Sequence, residues 1–318
     1  MNVSRKGDEK MDKDNNANSA WTSLMRLMPP AWVPALLPLH GLELRVRMGQ
    51  PVQVLEATRE VMLAIVATEA DVAHLVAACS GSSLYAYEEE MKQGFITLPG
   101  GHRVGFAGKT LLDGAGLVRG LKSISALCLR VARSLPGCAD KVLPEILDET
   151  ATPHHTLIIS PPQAGKTTLL RDIARQLSKR GRRVCIVDER SEIAGCYRGR
   201  PELDVGPRTD VLDGCPKAQG MLMALRALSP EVLITDEIGR SEDVSAIEEA
   251  LNAGVRVIAS AHGNSLADVA QRPHLARLFE RQLFARIVVL SHRKGPGTIE
   301  YAGSPLKLAT LNRHALHR

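Results

Sequence analysis

The spacing of apolar residues changes part-way along the chain. In LELRVRMGQPVQVL apolar and charged residues alternate on both sides of Gly49-Gln50-Pro51, which predicts a β-hairpin with Leu42, Leu44, Val46 and Met48 facing a core. Thr68 to Cys79 carries Val72, Leu75 and Val76 at helical spacing and is closed by Gly81, so a helix is expected there. FITLPGGHRVGFAGK predicts a second hairpin around Pro99-Gly100-Gly101. Ahead of these, Trp21 to Leu39 is apolar but carries Pro29, Pro30, Pro34 and Pro38. Each proline would remove a helix hydrogen bond, so a short helix or docking segment is expected rather than one long element.

From His155 onward the pattern becomes strand-helix-strand. TLIIS, RVCIVD, EVLITD, VRVIASA and ARIVVL read as strands, with KTTLLRDIARQLSKR, MLMALRAL and EDVSAIEEALN as helices between them. That order predicts a parallel sheet covered on both faces. The helix after TLIIS sets Leu169, Leu170, Ile173 and Leu177 on one face. The expected organisation is a disordered tail over 1–20, an α+β domain over 21–148 and an α/β domain over 149–318. No internal repeat is visible, so solenoids and propellers drop out.

Composition narrows the class. At 318 residues, 44% apolar and 24% charged, the chain has the make-up of an ordinary folded protein of two domains. No stretch reaches the ~18 uninterrupted apolar residues of a membrane span. The N-terminal MNVSRKGDEKMDKDNNANSA mixes both charge signs without an apolar core, unlike a signal or transit peptide, and a cytosolic chain is expected. A net charge of +5 does not choose a partner, and Phe 4, Tyr 4 and Trp 2 are too few for the stacking rows of an RNA-recognition sheet. The six cysteines are scattered without a C-x-x-C pair, as reduced thiols would be.

The chemistry gathers on the strand ends of the second domain. SPPQAGKTT, running through Ser160, Pro161, Pro162, Gln163, Ala164, Gly165, Lys166, Thr167 and Thr168, lies between an apolar strand and an amphipathic helix. It resembles a Walker A loop, whose backbone N–H groups and helix N-terminus hold phosphates. Lys166 would reach the β- and γ-phosphates of ATP and Thr167 would ligate Mg²⁺; Ser160 and Gln163 stand where such loops usually have glycine. VLITDEIG matches a Walker B strand, with Asp236 holding magnesium and Glu237 polarising the attacking water; a merely capped turn is the bland alternative.

Asp188, Glu189 and Glu192 form a second acidic cluster after RVCIV. Glu189 reads either as an alternative general base or as the partner of Arg190. Ala194 to Pro216 reads as one long Gly/Pro loop made basic by Arg198, Arg200 and Arg208. His262 ends VIASAH at the same sheet edge, where it would sense the γ-phosphate or serve structure alone.

With these motifs the second domain resembles the additional-strand ATPases of bacterial type II and type IV secretion systems. MALRALSPEVLITDEIGRSED repeats that family's arrangement through Arg226, Pro230, Glu237 and Arg240; VDERSEIAG is similar to its acidic box and Ser260-Ala261-His262-Gly263 to its histidine box. A sporulation branch of these ATPases is more similar still. The likeness extends to GPRTDVLDGCPKAQGM, LYAYEEEMKQGFITLPGGHRVGFAGK and LELRVRMGQPV, so it spans nearly the whole chain.

The resemblance implies a RecA-like P-loop ATPase domain behind a small α+β domain. It implies a homo-oligomeric ring, expected to be a hexamer, that docks on integral membrane proteins and energises a channel between mother cell and forespore. It also implies charge-neutralising arginines on the first domain acting on a neighbour's nucleotide. Arg103 in GGHRVG and Arg130 in LCLRVAR occupy comparable positions, with Arg133 as a competitor; surface charge on a hairpin is the alternative.

Two other functions remain open from the residues, a RecA-like nucleic-acid motor and a nucleotide-binding scaffold with little turnover. The retained Glu237 argues against the scaffold. Arg281, Arg286, Arg293, Lys294, Lys307, Arg313 and Arg318 face the single acid Glu300 at the C-terminal end, which reads first as solvated charge and second as a contact with anionic lipid.

Overall fold

Alternation does what it predicts at the start of the chain. In the computed structural model, which describes residues 19–81, 87–92 and 94–308, β1 (Glu43–Arg47) and β2 (Pro51–Leu55) form the first hairpin. Leu44 and Val46 are buried; Met48 is instead exposed, because it stands in the turn beside Gly49 at φ +73° rather than in the strand. β3 (Glu60–Val66) pairs with β2 and escaped the sequence pattern, since only one of its faces is even partly covered. β4 (Phe95–Thr97), β5 (Arg103–Leu112) and β6 (Val118–Arg130) complete an antiparallel sheet of order β3-β2-β1-β6-β5-β4.

The proline-rich segment breaks into 3₁₀ turns at Leu24–Leu27 and Pro30–Trp32 and the short α1 (Val33–Leu36), with Pro30 and Pro34 sitting where a first helical turn tolerates them and Pro38 following the last turn. Trp21 Nε1 donates to Leu36 O at 3.0 Å, and its ring lies so close to Gly41 that a Cβ there would fall 2.4 Å away. α2 (Glu69–Ser80) starts at a reciprocal cap between Thr68 and Asp71 and ends at Gly81 in the left-handed conformation. α3 (Glu88–Lys92) follows.

The chain divides into two units, Met1–Ser134 and Leu135–Arg318. The second starts earlier than the sequence pattern places it. Ala139, Val142, Leu143 and Ile146, the last two on α4 (Leu143–Ile146), are buried with Ile158, Leu170 and Ile173 in one core. Apolar packing thus moves the division ahead of residue 148.

The second unit is a seven-stranded sheet of order β13-β12-β7-β11-β10-β8-β9. β7 (Thr156–Ser160), β8 (Val184–Asp188), β9 (Thr209–Asp213), β10 (Val232–Thr235), β11 (Arg256–His262) and β12 (Arg286–Ser291) run parallel, and β13 (Thr298–Gly303) returns antiparallel to β12. β9 lies inside the expected long loop. It is a half-covered edge strand, so TDVLD lacks the continuous apolar run of its neighbours.

Alternate residues of the central strands feed two cores. Leu157, Ile159, Val187 and Leu233 pack under α6 (Lys217–Ala227) and α7 (Ser241–Asn252); Ile158, Ile186 and Ile234 pack under α5 (Lys166–Lys179) through Leu170, Ile173 and Leu177. α8 (Leu266–Ala270) and α9 (Pro273–Glu280) close the first of these. Among the described residues no helix is long and apolar enough to cross a membrane. The expectations for the tail before residue 19 and for Arg313 and Arg318 lie outside the described residues.

Candidate active site

β7 runs into the phosphate-binding loop and α5 leaves it. Gly165 caps α5 at φ +89°, and a Cβ there would stand 3.2 Å from Gly297 N, so both backbone and space require glycine. Gln163, at one of the positions where glycine was expected, adopts φ +59°. The loop is tied from outside by the β12–β13 connection: His292 Nε2 donates to Pro162 O at 2.7 Å, and Gly297 N–H donates to Ala164 O at 2.9 Å. External hydrogen bonds therefore hold a loop that has given up glycine's freedom. Beside it, a cavity of about 760 Å³ is lined by Gln163, Gly165 and Thr168 on one side and Leu290, Gly297 and Ile299 on the other.

β11 lies between β7 and β10, so the loop strand and the acid strand are separated by one additional strand. Their C-terminal ends share one edge, where open α/β sheets bind ligands. Asp236 and Glu237 follow β10 there. Glu237 is held at φ +41°, its N–H donating to Ser260 Oγ at 2.9 Å, while Ile238 N–H donates to Ser260 O at 2.8 Å. A left-handed glutamate is strained, and strain of this kind collects at functional sites. Its carboxylate lies 3.7 Å from Lys166 Nζ and 3.2 Å from Arg190 Nη1.

Asp236 is 2% exposed, and its Oδ1 has no hydrogen-bond partner among the described residues. Burial pushes its carboxyl up to about 6, against the pull of Lys217 and Lys166. A buried, unsatisfied carboxylate oxygen beside a phosphate loop suits a hard cation, so the residues fit the magnesium that the motifs call for. Thr167 and Asp236 are the residues that would hold it.

Lys217 carries no motif signal, yet it is 8% exposed at the first turn of α6, ion-paired to Glu189 and 4.0 Å from Asp236 Oδ1. Arg190, offered by sequence proximity to Glu189, goes to Glu237 instead. Only its burial in the fold singles out Lys217. Asp188, fully buried, accepts from the amides of Glu192, Ile193 and Ala194 at 2.8, 2.9 and 2.8 Å and so shapes the loop after β8. Burial raises its carboxyl to about 6. The buried Arg171 fastens the same loop through the carbonyls of Ile193 and Glu192.

His262 ends β11 in register with Ser160, half-buried at the shared edge. Arg240 is exposed at the start of α7, where Asp243 accepts from its amide at 3.0 Å. In the first unit Arg103 and Arg130 are direct cross-strand neighbours. The Arg103 guanidinium stacks 3.4 Å over the Phe95 ring and Arg130 lies 3.4 Å from Glu43. Arg198 lies over Tyr197 at 5.2 Å. Of the C-terminal cations, Arg281 pairs with Glu248, Arg293 with Glu300, and Arg286 donates to the Glu145 carbonyl.

The sequence model of the family described as Sporulation stage III, protein AA matches residues 36–303. The chain belongs to this family. A stage III sporulation protein AA of Bacillus subtilis is 48% identical over 263 residues, covering 81% of this chain and 84% of that protein. Among solved structures, the Legionella pneumophila ATPase DotB superposes with a TM-score of 0.54 at 18% identity, over 79% of this chain and 72% of that one. The pilus retraction motor PilT, solved with ADP bound, gives 0.52 at 15% identity over 81% and 76%. The stage III AA chain thus shares the fold of DotB and PilT, an α+β domain followed along the chain by a parallel-rich α/β domain.

Proposed function

We propose that this stage III AA chain binds Mg-ATP at the edge of the seven-stranded sheet and hydrolyses it as a ring-forming motor, energising a channel between mother cell and forespore. The observation that carries this reading is the convergence of Lys166, the buried unsatisfied Asp236 and the strained Glu237 across one intervening strand. The ATPase fold shared with DotB and PilT and the identity to the Bacillus subtilis protein support it.

Each side chain has a task. The amides of the loop and the first turn of α5 face the phosphates, and Lys166 leaves Glu237 for them. Glu237, released, orients a water and accepts its proton. Magnesium, when bound, neutralises phosphate charge. The cavity beside the loop is of a size and mixed polarity to take the nucleoside end. Arg103 and Arg130 are the residues this proposal assigns to a neighbouring subunit's nucleotide.

The test is Mg-ATP hydrolysis by the full chain over a protein-concentration series, with oligomer mass read in parallel. Turnover per chain should rise as rings assemble and ignore added single-stranded DNA. Glu237→Gln should keep nucleotide binding while turnover falls by about 10²-fold or more. Binding lost together with turnover, or stimulation by DNA, would overturn the assignment.

A further inference from the structure

The hairpin of β5 and β6 runs past its own sheet. β4 pairs with β5 only over Arg103–Gly105, and β1 with β6 only over Ala126–Arg130. From Lys109↔Lys122 to Leu112↔Val118 the two strands pair with each other alone. An isolated two-stranded ribbon is marginal in water. This one is exposed, with Leu112, Leu117 and Val118 at 59%, 67% and 46%.

Register sorts its side chains. Thr110↔Leu121 and Leu112↔Val118 are facing pairs, so Leu112, Val118 and Leu121 share one side, while Lys109 and Lys122 stand opposite each other on the other. Like charges facing across a ladder repel. The acid nearest to this lysine pair along the ribbon is Asp113, in the turn. That carboxylate is already used within the turn, accepting from the amides of Ala115 and Leu117, each at 2.9 Å. The ribbon tip is an apolar wedge flanked by two lysines that make no ion pair among the described residues.

We propose that this tip docks on a membrane surface rich in anionic lipid. Leu112, Leu117 and Val118 enter the boundary between headgroups and acyl chains, and Lys109 and Lys122 meet anionic headgroups. A projecting apolar wedge needs no shape-matched partner on a fluid surface, and negative headgroups relieve the lysine pair. The contact uses residues of the first unit alone and holds whether or not the chain hydrolyses ATP.

Flotation of the full chain with phosphatidylcholine vesicles, with and without phosphatidylglycerol, tests this. The wild type should float with the anionic vesicles only and be released by high salt. Lys109→Gln with Lys122→Gln should weaken partition about 30-fold, from ~1 kcal/mol per charge near such a surface. Leu112→Ser with Leu117→Ser should abolish flotation; both pairs are exposed, so circular dichroism and the urea midpoint should stay as in the wild type. Equal flotation with neutral vesicles, no flotation, or variants that float like the wild type would overturn the proposal, the last pointing to the C-terminal cations. A change in oligomer mass of the variants without lipid would also overturn it, making a second copy of the chain the occupant.

Discussion

Replacing Lys217 with methionine would remove one ammonium from between two carboxylates while nearly keeping its length and volume. Lys217 Nζ stands 4.0 Å from Asp236 Oδ1 and is paired to Glu189. At that separation and an effective dielectric of ~20, a unit pair is worth about 4 kcal/mol. Part of this is returned, because the buried ammonium no longer has to be desolvated and Glu189 is partly solvated. A net loss of about 2–3 kcal/mol remains, roughly 30- to 150-fold in equilibrium terms.

Its direction follows from Asp236, whose carboxyl burial already lifts to about 6 and which Lys217 pulls down. Without Lys217 the acid form gains further, so near neutral pH the carboxyl must shed a proton before it can ligate a cation. Mg-dependent binding of a fluorescent ATP analogue, measured from pH 6.5 to 9, should be weakened about 4- to 15-fold at pH 7, because the wild-type carboxyl, near 6, is mostly ionised there and that of the variant mostly is not. The gap should narrow as pH rises. Parallel pH curves for variant and wild type, or a variant that binds as tightly at pH 7, would refute the coupling of Lys217 to Asp236.

Other outcomes follow from the same geometry. His292→Ala should raise KM for ATP several-fold with little change in kcat, by freeing the Pro162 carbonyl, and His292→Gln, which keeps a side-chain donor, should restore most of it. Ser260→Ala removes the acceptor that holds the Glu237 amide at φ +41°, so kcat should fall about 10-fold with KM unchanged, a loss near 1.4 kcal/mol. His155, half-buried just ahead of β7 where Val257 N–H donates to its Nδ1 at 3.2 Å, is pushed down to about 4 from 6.5, by burial first and then by Arg256. Its folded value lies below its unfolded one, so its contribution is complete above pH 6.5 and is lost as pH falls toward 4. After discounting for partial exposure this is at most about 2 kcal/mol, and urea midpoints of His155→Gln should fall less than those of wild type between pH 6.5 and 4.5.

The motifs were legible because their chemistry is local. SPPQAGKTT and VLITDEIG each combine a buried strand, a turn and the reacting side chains within a few residues, so spacing alone proposes Lys166, Thr167, Asp236 and Glu237. Partnerships across the sheet were not legible in this way. Arg190 lies next to Glu189 in sequence but pairs with Glu237, 47 residues on, and Glu189 pairs with Lys217, 28 residues on. The strands β3 and β9 and the true start of the second unit were missed for a related cause: half-covered edge strands and a short helix carry too weak a period to stand out.

By itself the sequence determined where strands and helices alternate, which loop can cradle phosphate and which strand ends in two acids, since backbone preference and side-chain period act over one or two turns. Tertiary structure alone decided that β11 separates the loop from the acids, that the β12–β13 hairpin beside β7 latches a glycine-poor loop, and that a ribbon projects beyond its sheet. These depend on strand order and burial. Both arise when distant segments exclude water together, which no local spacing encodes.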